Sequence, residues 1–305
     1  MALLRLFGVN AGQRPTLISL TWISWRVAKV AHPLRTLSRL RCWWFFTGWR
    51  ALHAATTVRH LLKWPRSGAG RVLCPTFAVA AGSSTTPPRA YHSGDYEEIA
   101  WILAQLRARH PGPVIAAGVS LGGNALLRWA AEAGSDASSH VKAVAAICSP
   151  LDLAAGGHAI GRGFNRQIYT RMFLRTMVPK ALRKWEQHPG LFDRDALLAA
   201  RDLYAFDNVF TAPVHGFRNT EDYWYRASSK PLLSHIRVPA LVVNALNDPF
   251  VPASSLPRAG EVGPCVTLWQ PRHGGHVGFA QGPWPGHVRA MPDAVSAWLT
   301  AQLPG

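Results

Sequence analysis

Carboxylates are what this chain has least of. Its 305 residues hold 16 Asp and Glu against 33 Lys and Arg, and the first acidic side chain is Asp95. A soluble stretch as long as the 94 residues before it would carry about 11 acidic residues, half of the usual charged quarter. Residues 1–94 hold 13 of the basic side chains and 6 of the 13 Trp, while the remainder carries 20 basic and 16 acidic groups, an ordinary balance. The net charge of +17 is therefore a local property of the first third. Cysteine is scarce as well: Cys42, Cys74, Cys148 and Cys265 are scattered, with no Cys-x-x-Cys pair. Cys148 and Cys265 sit in strand patterns and read as buried thiols in a reducing compartment, which places the protein in the cytoplasm. No window reaches the apolar length of a spanning helix without charges, so no transmembrane segment is expected. Internal repeats, low-complexity tracts, zinc fingers, helix-turn-helix and RNA-binding motifs are all missing, which excludes nucleic acid as a partner through any of those modules.

What is present is concentrated around Gly118-Val119-Ser120-Leu121-Gly122-Gly123-Asn124. Apolar Val114-Ile115-Ala116-Ala117 reads as a short buried strand before it, and Ala125-Leu126-Leu127 with Trp129-Ala130-Ala131 reads as a helix after it. A serine on so sharp a strand-to-helix turn needs small neighbours, because Cβ atoms there would collide. The turn lifts the hydroxyl above the sheet and points the helix N-terminus at charge that develops during attack. The alternative is a plain glycine-rich turn with no chemistry.

Two later segments supply candidate partners. Pro239-Ala240-Leu241-Val242-Val243 runs into Asn244-Ala245-Leu246-Asn247-Asp248-Pro249-Phe250, a strand followed by a carboxylate-bearing loop. Strand-like Cys265-Val266-Thr267-Leu268-Trp269 leads into His273-Gly274-Gly275-His276-Val277-Gly278-Phe279. Ser120 is a poor nucleophile at neutral pH unless a base takes its proton. His276 can do so and return the proton to the leaving group, while Asp248 fixes the imidazole tautomer. The backbone N–H of Leu121 is the expected half of an oxyanion hole for bound substrate. Asp248 before Pro249 also suits a turn aspartate. Asp152 follows another strand and competes for the acid role, although a capping role suits it better. His273 competes with His276 and is assigned to holding the loop.

Together with Arg89-Ala90-Tyr91-His92-Ser93-Gly94, these motifs resemble the YheT-like family of α/β-hydrolases, in order from about Arg89 to Leu299. The resemblance implies an α/β fold: a mostly parallel sheet flanked by helices. It places the catalytic triad on Ser120, Asp248 and His276, and implies a serine hydrolase, a carboxylesterase acting on small acyl esters or lipids, with no metal or organic cofactor. Two alternatives stand beside it. One is an acyltransferase on the same triad, with an alcohol replacing water. The other is a noncatalytic protein held to membrane or nucleic acid by its basic, Trp-rich first third.

That first third, residues 1–88, supplies neither recognisable strands nor the second oxyanion-hole loop such a fold requires before its nucleophile. An explanation is that it is translated out of frame. Trp has a single codon, so Cys42 to Ala51 read at each third base permits L-V-V-L-H-G-L-E-G, an apolar strand and the family's oxyanion-hole loop. The same offset permits P-H-F-R-G-C at Cys74 to Ala80 and D-L-D at Leu20 to Ile23, and Thr85-Thr86-Pro87-Pro88 marks a crossover. The expectation is an aberrant basic segment over 1–88 and a hydrolase over 89–305, with the chain as written folding poorly or nearly inactive.

The remaining organisation follows from periodicity. Asp95 and Glu98 form a capping pair for a helix through about Arg109, burying Ile99, Ile102, Leu103 and Leu106. Val141 to Cys148 is the next strand. Residues 153–233, with helical runs Phe164 to Met177 and Arg194 to Phe206, form a helical cap over the site. In it, Phe164, Ile168, Met172 and Phe173 are expected to pack as core, and Lys180, Arg183 and Lys184 to form a solvated face. Val288 to Leu299 is a closing helix.

Overall fold

The computed structural model describes residues 88–109, 112–283 and 286–303, together with two strands of the first third, Arg41–Thr47 (β1) and Gly70–Leu73 (β2). Strands Val114–Val119 (β3), Ala143–Ile147 (β4), Ala240–Val243 (β5) and Val266–Trp269 (β6) complete a sheet of order β2-β1-β3-β4-β5-β6. Every pairing is parallel. The strand order reverses between β1 and β3, the kind of switch point where open α/β sheets hold their ligands.

Both faces of the sheet are covered, which is why β3, β4 and β5 are buried at every position and read as unbroken apolar runs. Alternate residues serve opposite faces. Val114 and Ala116 of β3 join Ile99, Leu103 and Leu126 in one cluster. Ile115, Ala117 and Val119 join Met291, Val295 and Leu299 in the other. The first cluster is built by helices Tyr96–Arg109 (α1) and Leu121–Ala133 (α2), the second by the C-terminal helix Ala290–Ala301. Fully buried Ile99 and Leu103 contribute roughly 1.5–3 kcal/mol each. The capping reading of Asp95 holds: its carboxylate accepts the N–H of Glu98 at 3.2 Å, and α1 buries the four predicted residues.

The first third departs from expectation. Trp43-Trp44-Phe45-Phe46 is an aromatic run suited to a pleated strand, and Cys42–Thr47 pairs residue for residue with Val114–Val119. The expectation that residues 1–88 supply no recognisable strand is thereby corrected. The loop after Thr47, the stretches Leu20 to Ile23 and Cys74 to Ala80, and Thr85 to Pro87 lie outside the described residues.

Between β4 and β5 the chain is helical. Helix Leu153–Ile160 (α3) is followed by a helical turn Gly163–Asn165, a π-helical turn Arg166–Thr170 and helix Arg171–Gln187 (α4). The run expected from Arg194 to Phe206 is two helices, Arg194–Ala199 (α5) and Leu203–Phe206 (α6). Asp202 divides them, because its side chain accepts the N–H of Ala205 at 2.9 Å and so starts a new helix. Helix Thr220–Ala227 (α7) completes the cap, and the C-terminal helix is α8. Two surface assignments are corrected. Phe164, Ile168 and Met172 are exposed, because the helical stretch from Gly163 to Gln187 turns Tyr169, Phe173, Leu174 and Met177 inward instead. Lys184 is buried, whereas Arg183 is exposed.

Candidate active site

The three predicted side chains come together where β3, β5 and β6 end. Ser120 Oγ lies 3.2 Å from His276 Nε2, and His276 Nδ1 lies 2.8 Å from Asp248 Oδ2. These are hydrogen-bond distances along a serine–imidazole–carboxylate line, with Asp248 buried and His276 half-buried. A carboxylate so placed accepts Nδ1–H and leaves Nε2 free to take the serine proton.

Ser120 occupies a backbone conformation that side chains rarely adopt, φ 55° and ψ −126°. Its N–H still donates to Ile147 O at 2.8 Å, so the strain is held in place by the last rung of the β3–β4 ladder. The glycines around it answer to close backbone approach. A Cβ on Gly118 would lie 2.5 Å from Gly122 O, and one on Gly123 would lie 1.9 Å from Ser149 Oγ. Leu121 N–H opens α2, where the first amides have no intrahelical acceptor.

The acid and the base are positioned by their own loops. Asp248 Oδ1 accepts Phe250 N–H at 2.8 Å, an aspartate turn that spends one carboxylate oxygen locally and leaves Oδ2 for the imidazole. The base loop is anchored by buried Val277 and Phe279, both at positive φ (69° and 45°). A Cβ on Gly274 would lie 2.6 Å from the Phe279 ring, which accounts for glycine there. Asn247 clamps the two loops: its Oδ1 accepts the N–H groups of Gly274 and Gly275, each at 2.9 Å. The loop-holding role expected of His273 thus belongs to Asn247, and His273 is exposed. Asp152 caps α3 by accepting Ala155 N–H at 3.0 Å, outside the relay.

Cys148 is buried beside the relay, at φ 51° just past β4. Its sulfur, the Asp248 carboxylate and the His276 ring nitrogen lie within 4.8 Å of one another, so geometry alone would admit a metal ion. A metal needs the thiolate, and burial together with the neighbouring Asp248 charge drives this thiol's pKa upward. The sulfur instead accepts Val277 N–H at 3.3 Å and so supports the base loop. Cys265, expected to be buried, is half-exposed at the mouth of β6.

Asn124, the last residue of the serine motif, has a role that sequence reasoning missed. It is fully buried, donates to Ser93 O and Ala227 O at 2.9 Å, and accepts Ser229 N–H at 3.0 Å. Ser93 N–H in turn donates to Tyr223 Oη at 2.9 Å. Gly94 presses on Ala227 so closely that a Cβ would lie 2.6 Å from its Cα. The motif Arg89 to Gly94 is therefore the joint between the serine helix and the end of the cap. Its signal was an Asn placed where the helix should be apolar.

The alpha/beta hydrolase fold family matches residues 79–283. The chain belongs to the α/β-hydrolase family. Among curated relatives, the Escherichia coli (strain K12) protein named "Putative esterase YheT" is 32% identical over 230 residues, covering 74% of this chain and 67% of that one. The mouse protein "Phospholipase ABHD3" is 31% identical over 229 residues, 73% of this chain and 54% of its own length. The chain thus spans only about half the length of that relative. A monoacylglycerol lipase from Paleococcus ferrophilus shares the fold, with TM-score 0.52 and 16% identity over 86% of this chain and 94% of its own. Among the described residues, no helix is long and apolar enough to cross a membrane.

Proposed function

We propose that the protein is a serine carboxylesterase that cleaves acyl esters of small-molecule or lipid character through an acyl-enzyme. The observation that carries this reading is the continuous relay from Asp248 Oδ2 through His276 to Ser120 Oγ, at 2.8 and 3.2 Å. His276 Nε2 takes the Ser120 proton as Oγ bonds to the ester carbonyl carbon. The carbonyl oxygen, now negative, is met by Leu121 N–H at the start of α2. As the C–O bond to the leaving alcohol breaks, His276 returns the proton to that oxygen. Water then enters: His276 removes its proton, the hydroxide oxygen bonds to the acyl carbon, and Ser120 leaves with the proton restored. The relatives named as an esterase and a phospholipase support an ester substrate. The free thiols of Cys148 and Cys265 suit a reducing compartment such as the cytoplasm.

The same reading covers the first third. We infer that residues 1–88 are an out-of-frame rendering of the family's N-terminal part. The family match, which leaves residues 1–78 uncovered, supports this. The nucleotide sequence upstream of codon 89 tests it: stop codons in the offset frame, or failure to encode that strand, refute it.

For catalysis, a fluorophosphonate probe should label the intact chain or its frame-restored version, with the adduct on Ser120. Ser120→Ala should abolish labelling and cut ester turnover by roughly a millionfold, and Asp248→Asn should cut it about 10,000-fold. Ester turnover that survives Ser120→Ala would end the proposal.

A further inference from the structure

We propose that the outer face of the cap, formed by the helical stretch Gly163–Gln187, docks on an anionic phospholipid surface. The first observation is exposure. Phe164, Ile168 and Met172 are 70%, 44% and 45% exposed, and their four-residue spacing lines them along one side of the helical stretch. Large apolar side chains grouped this way cost free energy in water and mark a contact surface rather than scattered surface residues.

The second observation is charge. Residues 163–187 contain six Lys and Arg against one acidic residue, Glu186. Arg162, Arg166, Arg171 and Arg175 are all exposed around the apolar row. An apolar row bordered by arginines is the pattern of an interfacial helix: the apolar side chains enter the acyl boundary while the guanidinium groups reach the lipid phosphates. The charge also decides against a second copy of the chain. A twofold contact through this face would set arginines against the same arginines.

The third observation is position. The inner side of the same stretch sits on the acid loop. Asn165 Nδ2 donates to Pro249 O at 2.8 Å, and the Tyr169 ring lies 4.6 Å from the Phe250 ring. The Phe250 ring lies 4.5 Å from that of His276. A surface bound to the outer face is therefore one helix away from the relay. Docking itself needs no chemistry, so it stands apart from the proposed esterase activity.

The test is co-sedimentation of the full chain with vesicles of equal parts phosphatidylcholine and phosphatidylglycerol, against vesicles of phosphatidylcholine alone. Binding should prefer the anionic vesicles and weaken as salt screens the arginines. Phe164→Ser/Ile168→Ser/Met172→Ser should weaken it by at least about tenfold, and Arg171→Glu/Arg175→Glu by about tenfold at low salt. Circular dichroism of both variants should match the parent, since every substituted side chain is exposed. Ser120→Ala should bind like the parent even if it hydrolyses nothing. If either multiple variant keeps parental affinity, the contact lies elsewhere, for example in residues 1–88, and the proposal fails. Conversion of a sedimenting dimer to a monomer by the apolar variant, with vesicle binding unchanged, would assign the face to self-association and refute it equally.

Discussion

Removing the Asn247 side chain isolates the positioning of the base from its chemistry. Asn247 Oδ1 accepts two amides of the His276 loop at 2.9 Å, yet touches neither Ser120 nor the imidazole. Asn247 is exposed, so water can replace it as an acceptor and each bond is worth the low end of the range, about 0.5 kcal/mol. Two of them make about 1 kcal/mol holding the loop in its working place. If that free energy is what keeps His276 within reach of Ser120, Asn247→Ala should lower kcat about fivefold. KM should stay within about twofold, because no substrate contact is removed. The same 1 kcal/mol should lower Tm by roughly 2 °C in a chain of this size. Asn247→Asp keeps an acceptor oxygen at the same place and should recover most of kcat. Steady-state hydrolysis of a soluble nitrophenyl ester, with thermal unfolding in parallel, reads both quantities. A fallen Tm with kcat unchanged would make Asn247 merely structural and refute the positioning argument; a rise in KM alone would do the same.

Two further predictions concern the fold around the site. Asn124→Leu leaves Ser93 O, Ala227 O and Ser229 N–H buried without their partner, and should cost roughly 3 kcal/mol or more in denaturant unfolding; a loss below about 1 kcal/mol would mean the joint is not held by this amide. Asp207, buried in the cap, accepts Trp224 Nε1–H at 2.9 Å and Thr211 Oγ1–H at 2.6 Å, yet burial still raises its pKa to about 6. The folded state then binds the proton more tightly than the unfolded state, so stability is full below about pH 4 and declines as pH rises through 6. The decline from this group is roughly 3 kcal/mol. Asp207→Asn should remove about 2 kcal/mol of the difference between urea unfolding at pH 4.5 and pH 7, and an identical difference in both proteins would show the carboxylate to be unperturbed.

What could be seen in the sequence was what repeats at short range. Unbroken apolar runs gave β3, β4 and β5 because both faces of the sheet are covered there, and the four buried residues of α1 follow the helical period. The relay was legible because each of its members sits at the C-terminal end of a strand, where the next residues must turn. Failures came where distance in the chain hides the partner. Nothing local distinguishes Asn247 from His273 as the residue that holds the base loop; only the packing of two loops about 28 residues apart does. The row Phe164, Ile168, Met172 has core periodicity, and only the orientation of the helical stretch Gly163–Gln187 shows that it faces outward. Residues 1–88 read as holding no recognisable strand because the segment is taken as out of frame, yet the aromatic run Trp43 to Phe46 lies in a strand, as aromatic side chains suit a pleated backbone.

Among the described residues, four that are not glycine adopt positive φ: Ser120, Cys148, Val277 and Phe279. All four border the relay, and a β-branched residue such as Val277 pays most for this conformation. Such conformations cost on the order of 1–3 kcal/mol each and persist only where surroundings over-determine them. Here the surroundings are visible: the ladder bond from Ser120 to Ile147, the thiol of Cys148 accepting from Val277, and Phe279 buried over Gly274. A core built only for stability would have relaxed these four turns. They lie together beyond the C-terminal ends of β3, β4 and β6, around the serine and the imidazole that the proposed relay needs in place.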